Sequence, residues 1–331
     1  MSTGSILVTG ATGMVGGLFA QRAVERGYRV RALVRAVSRS PRLEGLGVEQ
    51  FPGDLAEPAS LPPAVEGMDY VVHTAAHVGD WGPAEKYRAI NVFALEHLLN
   101  AAERGGHLKR WIQISSLGVY PARDHFGTDE TVAPDIQGLD GYTRTKAEAE
   151  VLLRQHMTEH KLPAVILRPG FIYGAGDRHV VPRLIQKLRS GKLKIIGDGQ
   201  KLLNNTYAGN LVDAIFLALE KDAAVGEIFN IRDERLVTRA EFIGAIADYL
   251  KLPRPRNVPV WLARAGVVPI EGLARLLGKT EPPLLTRAVI KFMTLNLDYS
   301  IDKAKRVLGY QPRVDFRDGI QIALRSAVEG T

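Results

Sequence analysis

The chain has 331 residues, 46% of them hydrophobic and 24% charged, a composition suited to a folded enzyme of one large or two modest domains. The net charge is +7, but Lys and Arg are scattered along the chain. That argues against nucleic acid as a partner and leaves an attraction for an anionic cofactor or an anionic membrane surface. The absence of Cys excludes disulfides, thiol catalysis and Cys-ligated metal, and no run reaches the ~18 apolar residues of a membrane span. A strand-like run starts almost at once, so a cytoplasmic protein without a leader is expected.

Ser5-Ile6-Leu7-Val8 is a short apolar run. Thr9-Gly10-Ala11-Thr12-Gly13-Met14-Val15-Gly16 follows it, and apolar residues at helical spacing continue over 17–24. Strand, glycine turn and helix are the context a dinucleotide-binding motif requires. Gly10 permits the tight turn, Gly13 lets the backbone approach a pyrophosphate, and Gly16 lets helix pack on strand. The helix N-terminus presents free N–H groups to the phosphates. A turn that binds nothing would use the same glycines, but the flanking elements favour a cofactor site from Thr9 to Gly16.

Strand-like runs recur at 28–34, 48–51, 70–73, 111–114 and 164–167, with helical patterns between them, notably 84–104 and 142–160. This alternation predicts an α/β fold with a doubly wound parallel sheet, whose ligands sit at the carboxyl ends of the strands. The second half reads as helices over 180–188, 211–219, 241–250 and 261–277, with a strand at 228–230. Pro253, Pro255, Pro259, Pro269, Pro282 and Pro283 are expected to cut the last part into short pieces. The expected division is a dinucleotide-binding unit over 1–175, joined by 201–231, and a smaller mixed α/β substrate lobe over 176–331.

Strand two ends at Val34-Arg35, with Ser38 and Arg39 close behind and no carboxylate before Glu44. An acid there would favour NAD, and an Arg accommodates a 2′-phosphate, so NADP(H) is favoured over NAD(H). Asp54, after strand three, is placed either to accept from the adenine amino group or to cap the next turn. Thr74-Ala75-Ala76, after strand four, are small enough for a cofactor to lie on the backbone. Ser115-Ser116 end strand five, and Tyr142 and Lys146 stand one turn apart on the next helix. A cation beside a phenol lowers its pKa, so Tyr142 is expected to exchange a proton with a carbonyl or alcohol that Ser116 holds. A second Tyr-Lys pair, Tyr299 and Lys303, has no Ser-ending strand before it and is assigned to structure. His73 and His77 straddle a strand end with no third ligand evident, so no metal is expected.

Taken together, these residues resemble the extended short-chain dehydrogenase/reductase family. The resemblance covers nearly the whole chain and includes Asp54-Leu55, Ser115-Ser116-Leu117-Gly118-Val119-Tyr120, Tyr142 with Lys146, and Arg168-Pro169-Gly170-Phe171-Ile172-Tyr173-Gly174. It implies a Rossmann fold, with Ser116, Tyr142 and Lys146 as the catalytic set and Asn91 supporting a proton-relay water. It also implies cofactor contacts at Leu55 and at Pro169, Gly170 and Ile172. Ala75-Ala76-His77-Val78-Gly79-Asp80-Trp81-Gly82 and Ile196-Gly197-Asp198-Gly199 look like the branch of 3β-hydroxysteroid dehydrogenases and dihydroflavonol reductases, which places Trp81 near a substrate.

Sugar-nucleotide epimerases and dehydratases typically carry Asn and Arg where this chain has Phe171 and Leu203. An apolar pair there suits an apolar substrate rather than a pyrophosphate. The resemblance therefore implies NADP(H)-dependent interconversion of a ketone and a secondary alcohol on a sterol-like or long-chain β-keto compound. Two alternatives stand beside it: an NDP-sugar epimerase or dehydratase, and a non-catalytic NADPH-sensing regulator. The family also implies a homodimer through 84–104 and 142–160. The segment 261–277, with Arg264 and Arg275, is expected to be a lid over an apolar pocket, with peripheral membrane contact as the lesser reading.

Overall fold

The computed structural model describes residues 3–38, 40–79, 81–279, 281–283 and 285–329; Arg39, Asp80 and the side chain of Arg275, named above, lie outside the described residues. Seven strands form a parallel sheet: β1 (Ser5–Thr9), β2 (Arg29–Val34), β3 (Glu49–Pro52), β4 (Tyr70–His73), β5 (Arg110–Ile114), β6 (Ala164–Pro169) and β7 (Ile228–Ile231). Their order is β7-β6-β5-β4-β1-β2-β3, which reverses direction between β1 and β4 and opens a crevice there.

The central strands are continuously apolar because both faces are covered. In β1, Ile6 and Val8 point into one core and Leu7 into the other. α1 (Met14–Glu25) supplies Phe19 and Ala23 to the first core. α2 (Ala94–Gly105) and α3 (Gly141–Glu159) close the second with Leu95, Leu98, Leu99 and Leu153. The helix predicted over 84–104 is continuous in path but not in type, since Ala84–Arg88 passes through a π-helical turn, Ala89–Phe93, before α2.

The smaller lobe contains α4 (Val181–Arg189), while α5 (Ala208–Glu220) returns to the first core. α6 (Arg239–Tyr249), α7 (Val260–Leu276), α8 (Arg287–Thr294) and α9 (Phe316–Glu329) follow. The lobe has its own aromatic core, in which Phe242 packs against Tyr173 at 5.6 Å and Phe316 at 5.4 Å between ring centroids. Among the described residues four short strand pairs lie outside the main sheet, including Phe171–Tyr173 beside Asn205–Tyr207 and Leu202–Leu203 beside Val237–Thr238.

One expectation needs correction. Pro269 does not end a piece but lies inside the 17-residue α7. A proline in a helix removes one hydrogen bond, yet α7 is held along its length by the burial of Ala263, Val267 and Ala274.

Candidate active site

The glycine turn is built by close approach. Gly10 has φ +73°, and a Cβ on it would meet Oγ1 of Thr74 at 2.6 Å and the backbone N of Ala75 at 2.8 Å. A Cβ on Gly16 would strike the Gly10 carbonyl. Thr9 is buried, its Oγ1 paired with Nδ1 of His73 at 2.8 Å, and the Thr74 hydroxyl donates to its carbonyl at 2.7 Å. These contacts lock the ends of β1 and β4 together under the turn. Gly13, in contrast, is exposed and caps α1 without any side chain, and the first turn of α1, with Met14, Val15 and Gly16, holds no acid. Thr12 is half-buried beside it. An open, positively polarised helix end over a glycine cradle fits a dinucleotide pyrophosphate.

Other expected cofactor contacts divide. Arg35 stands exposed just past β2. The Asp54 carboxylate accepts from the Ala56 N–H at 2.9 Å in a local turn, and Leu55 packs on the second core. Ala75 and Ala76 are half-buried. Gly170 has a structural reason of its own, because a Cβ there would strike the Asn204 carbonyl. Pro169 is buried at the end of β6, and Ile172 packs toward the first core.

Asn91 lies buried within the π-helical turn. Its Oδ1 accepts from the His77 N–H at 2.8 Å, and its Nδ2 donates to the His77 carbonyl at 3.1 Å and to Oγ1 of Thr145 at 3.0 Å. The side chain therefore fastens the loop after β4 to α3. Trp81 Nε1 donates to the Lys279 carbonyl at 2.9 Å, and Trp81 is not among the residues that line the cavity described below. His73 and His77 do not converge. His73 is buried, its pKa pushed down to about 3 by burial, and His77 packs on the Tyr87 ring at 4.6 Å. A separate trio, Glu103, His156 and His160, has its ligand atoms within 4.8 Å of one another, with His156 Nδ1 at 2.6 Å from Glu103.

Ser116, Tyr142 and Lys146 meet at the end of β5. Ser116 Oγ accepts from the Gly118 N–H at 3.0 Å, which leaves its own hydrogen to donate. Tyr142 lies near the start of α3, whose N-cap Asp140 accepts from the Thr143 N–H at 2.8 Å. Lys146 is 4% exposed, and its Nζ donates to the Ile114 carbonyl at 2.7 Å.

The electrostatics correct the expected tuning. Burial pushes the Tyr142 phenol up to about 12; a hydrogen bond with Ser116 pulls it down, and Asp140 adds to the rise. The ammonium does not offset this, because it is turned onto Ile114 and is itself pushed down to about 8 by burial, with Glu150 pulling the other way. The protein alone therefore holds Tyr142 as a protonated acid.

Behind these residues is a network that sequence reasoning did not find. Glu150 and Arg168, each 1% exposed at the side chain, pair at 2.5 Å. Ser115 Oγ donates to Glu150 at 2.5 Å, Arg168 Nη1 donates to the Tyr120 hydroxyl at 2.7 Å, and that hydroxyl donates to Oδ1 of Asn230 at 2.9 Å. β5, α3, β6 and β7 are thereby joined in one chain of contacts. The only signal in the sequence is Glu150 four residues after Lys146, on the same helix face.

Within the smaller lobe a cavity of about 650 Å³ opens, with Phe171, Leu203, Phe242, Phe292 and Ile270 in its walls; Phe292 also packs on the cluster that holds Leu117 and Ala147. The volume and apolar lining suit a small organic ligand.

The depressed pKa of Lys146 has a measurable sign. Between about 8 and its unfolded value of 10.5, the unfolded chain binds the proton that the folded chain has lost, so stability rises with pH there. The wild-type chain without cofactor should therefore gain up to ~1.4 kcal/mol per pH unit relative to Lys146→Met in urea unfolding between pH 8 and 10. Parallel profiles for the two proteins would contradict the buried ammonium.

A family profile described as NAD dependent epimerase/dehydratase family matches residues 6–231. The 2-alkyl-3-oxoalkanoate reductase of Stenotrophomonas maltophilia is 32% identical over 327 residues, spanning 96% of this chain and 97% of its own. The 3 beta-hydroxysteroid dehydrogenase/Delta 5-->4-isomerase of Mycobacterium tuberculosis is 32% identical over 325 residues, spanning 93% of this chain and 86% of its own. The crystal structure of gox2253 superposes with a TM-score of 0.84 at 28% identity and covers 99% of each chain. The chain belongs to the NAD dependent epimerase/dehydratase family, as an extended short-chain dehydrogenase/reductase that uses a nicotinamide cofactor and acts at CH–OH carbons.

Proposed function

We propose that the protein is an NADP(H)-dependent oxidoreductase that interconverts a ketone and a secondary alcohol on a hydrophobic small molecule, sterol-like or long-chain and β-keto. The observation that carries this reading is the half-buried Tyr142 beside Ser116, together with a cavity walled by Phe171, Leu203 and Phe292, the last of which packs on the cluster of Leu117 and Ala147, chain neighbours of Ser116 and Lys146. The relatives point the same way, since one is named for a 3-oxoalkanoate and one for a 3β-hydroxysteroid. A sugar nucleotide would set its pyrophosphate against those apolar side chains and forfeit charge-assisted hydrogen bonds.

When bound, the nicotinamide supplies or accepts the hydride. The residues of the chain handle orientation and the proton. Ser116 turns its hydroxyl hydrogen from Tyr142 to the substrate oxygen, and Tyr142, held protonated by its burial, gives that oxygen its proton during reduction. Lys146 keeps two N–H donors beyond the bond to Ile114, enough to hold the ribose hydroxyls near the phenol. Asn91 acts through the loop it fastens and the π-helical turn it occupies.

Arg35 favours NADP(H), because it is exposed just past β2 and could meet a 2′-phosphate there. The working division is a cofactor unit over 1–175 with 201–231 and a substrate lobe over 176–331. A homodimer through α2 and α3 is supported by Phe93, 51% exposed just before α2, and Val151, 52% exposed on α3. No described helix is long and apolar enough to cross a membrane. α7 nonetheless turns Trp261, Val268, Leu273 and Leu276 outward, with exposed Arg264 beside them, which supports peripheral contact with an anionic bilayer by a protein working in the cytoplasm.

Three measurements test these readings. Tyr142→Phe should lower turnover of hydrophobic ketones by about 10²–10⁴-fold at the nicotinamide absorbance while cofactor binding persists; undiminished turnover would remove Tyr142 from the chemistry. Arg35→Asp should weaken NADPH relative to NADH by about tenfold or more, and an unchanged ratio would leave the cofactor preference without a cause. In sedimentation velocity the protein should run at twice its 36.2 kDa chain mass and co-sediment with anionic vesicles; a monomer, or a dimer indifferent to vesicles, would refute the corresponding surface.

A further inference from the structure

Arg239, the first residue of α6, is 1% exposed. Its Nε donates to the Phe292 carbonyl, and its Nη1 donates to the carbonyls of Lys201 and Leu202, both at 2.9 Å. Its Nη2 is buried with no hydrogen-bond partner among the described residues. No described carboxylate forms an ion pair with it. Among the described residues, Asp124 is the acid whose charge acts on it, and Asp124 is itself engaged by Lys201 Nζ at 3.0 Å and by the Asn296 N–H at 2.7 Å. Burial holds the guanidinium down at about 10. A buried cation with an idle donor is unfavourable unless something supplies the missing acceptor.

Arg239 lines the 650 Å³ cavity. The other charged residues of that lining are Arg183, Lys187, Lys192 and Lys194, and no described Asp or Glu is among them. The cavity is thus apolar along its walls and cationic in every charge it carries. Phe292, in its wall, also packs on the cluster of Leu117 and Ala147, chain neighbours of Ser116 and Lys146. Phe171, directly after Gly170, packs on Phe292 at 5.0 Å, and the Phe292 ring stands 5.3 Å from the Arg239 guanidinium. Lys291, next to Phe292, feels the charge of Asp140, which caps the helix that carries Tyr142.

We infer that Arg239 anchors an anion subsite at this cavity through Nη2, and that this residue selects, among apolar ketones and alcohols, those carrying a carboxylate, such as the oxoalkanoate one relative is named for. The substrate clause rests on the oxidoreductase reading; the subsite does not. Three backbone carbonyls fix the guanidinium in place, so a ligand oxygen finds a preorganised donor. Nη2 is the one nitrogen of this guanidinium left to donate, and a single carboxylate oxygen can accept from it. The lysines and Arg183 attract the anion toward the cavity, and the apolar walls take its chain.

The test uses ligands that carry no ketone. Dodecanoate, its methyl ester and dodecanol are titrated into the full-length wild-type protein. Dodecanoate should bind about tenfold or more tighter than the ester and the alcohol. Arg239→Met, with fold checked by circular dichroism, should bring the three ligands level, and Lys187→Gln with Lys192→Gln should keep the order. Equal binding of carboxylate and ester by the wild type would overturn the subsite, as would a carboxylate preference that survives in folded Arg239→Met. If Arg239→Met does not fold, a crystal structure of the wild type with dodecanoate decides: an oxygen on Nη2 upholds the assignment, and a carboxylate seated elsewhere overturns it. Because none of these ligands can be reduced, loss of the subsite would leave the redox reading intact, and a lack of ketone turnover would leave the subsite intact.

Discussion

The ion pair between Glu150 and Arg168 is the contact on which the catalytic geometry depends. Both side chains are buried in the protein interior and meet at 2.5 Å. A buried pair contributes little net stability compared with apolar residues of the same shape, but removing one partner strands a charge and costs about 3–5 kcal/mol. Its value here is positional. Glu150 fixes α3, Arg168 fixes β6, and Ser115 reaches the same carboxylate from the end of β5. Ser116 and Lys146 are thereby set on a frame that cannot slide without breaking a charge-assisted hydrogen bond.

That frame also explains the protonation pattern. Catalytic groups at the end of a parallel sheet sit where helices and strands crowd, so burial dominates their electrostatics. Burial raises Tyr142 and lowers Lys146, and Glu150 only partly restores the lysine. The same crowding keeps His73 neutral against Thr9. With its pKa raised to about 12, the phenol is in its acid form at neutral pH, the form the proposed proton delivery to a carbonyl oxygen requires.

Much of this was legible in the sequence, and the limits have physical causes. The long periodic elements and the glycine turn stood out because each is local: hydrophobic period, turn chemistry and chain order suffice. The strand pairs at 171–173 with 205–207 and 202–203 with 237–238 did not, since two- and three-residue strands carry no readable period. Pro269 misled because packing along α7 overrides a local propensity. Glu150 and Arg239 were missed for another reason. Each is a charged residue whose meaning lies in partners distant along the chain: Arg168 for one, the carbonyls of 201, 202 and 292 for the other. The pKa of Tyr142 was misjudged because helical spacing places two side chains on one face but does not show where the lysine points or how deeply the phenol is buried.

The most direct test of the central claim is isotopic. The protein would be given NADPH deuterated at the transferable position of its nicotinamide, together with long-chain β-keto compounds and 3-keto sterols, and the products examined by mass spectrometry and NMR. Deuterium on the carbinol carbon of a product, formed in step with loss of nicotinamide absorbance, is the predicted result. Ketones returned unlabelled, with the cofactor unconsumed while a sugar nucleotide is epimerised, would contradict it.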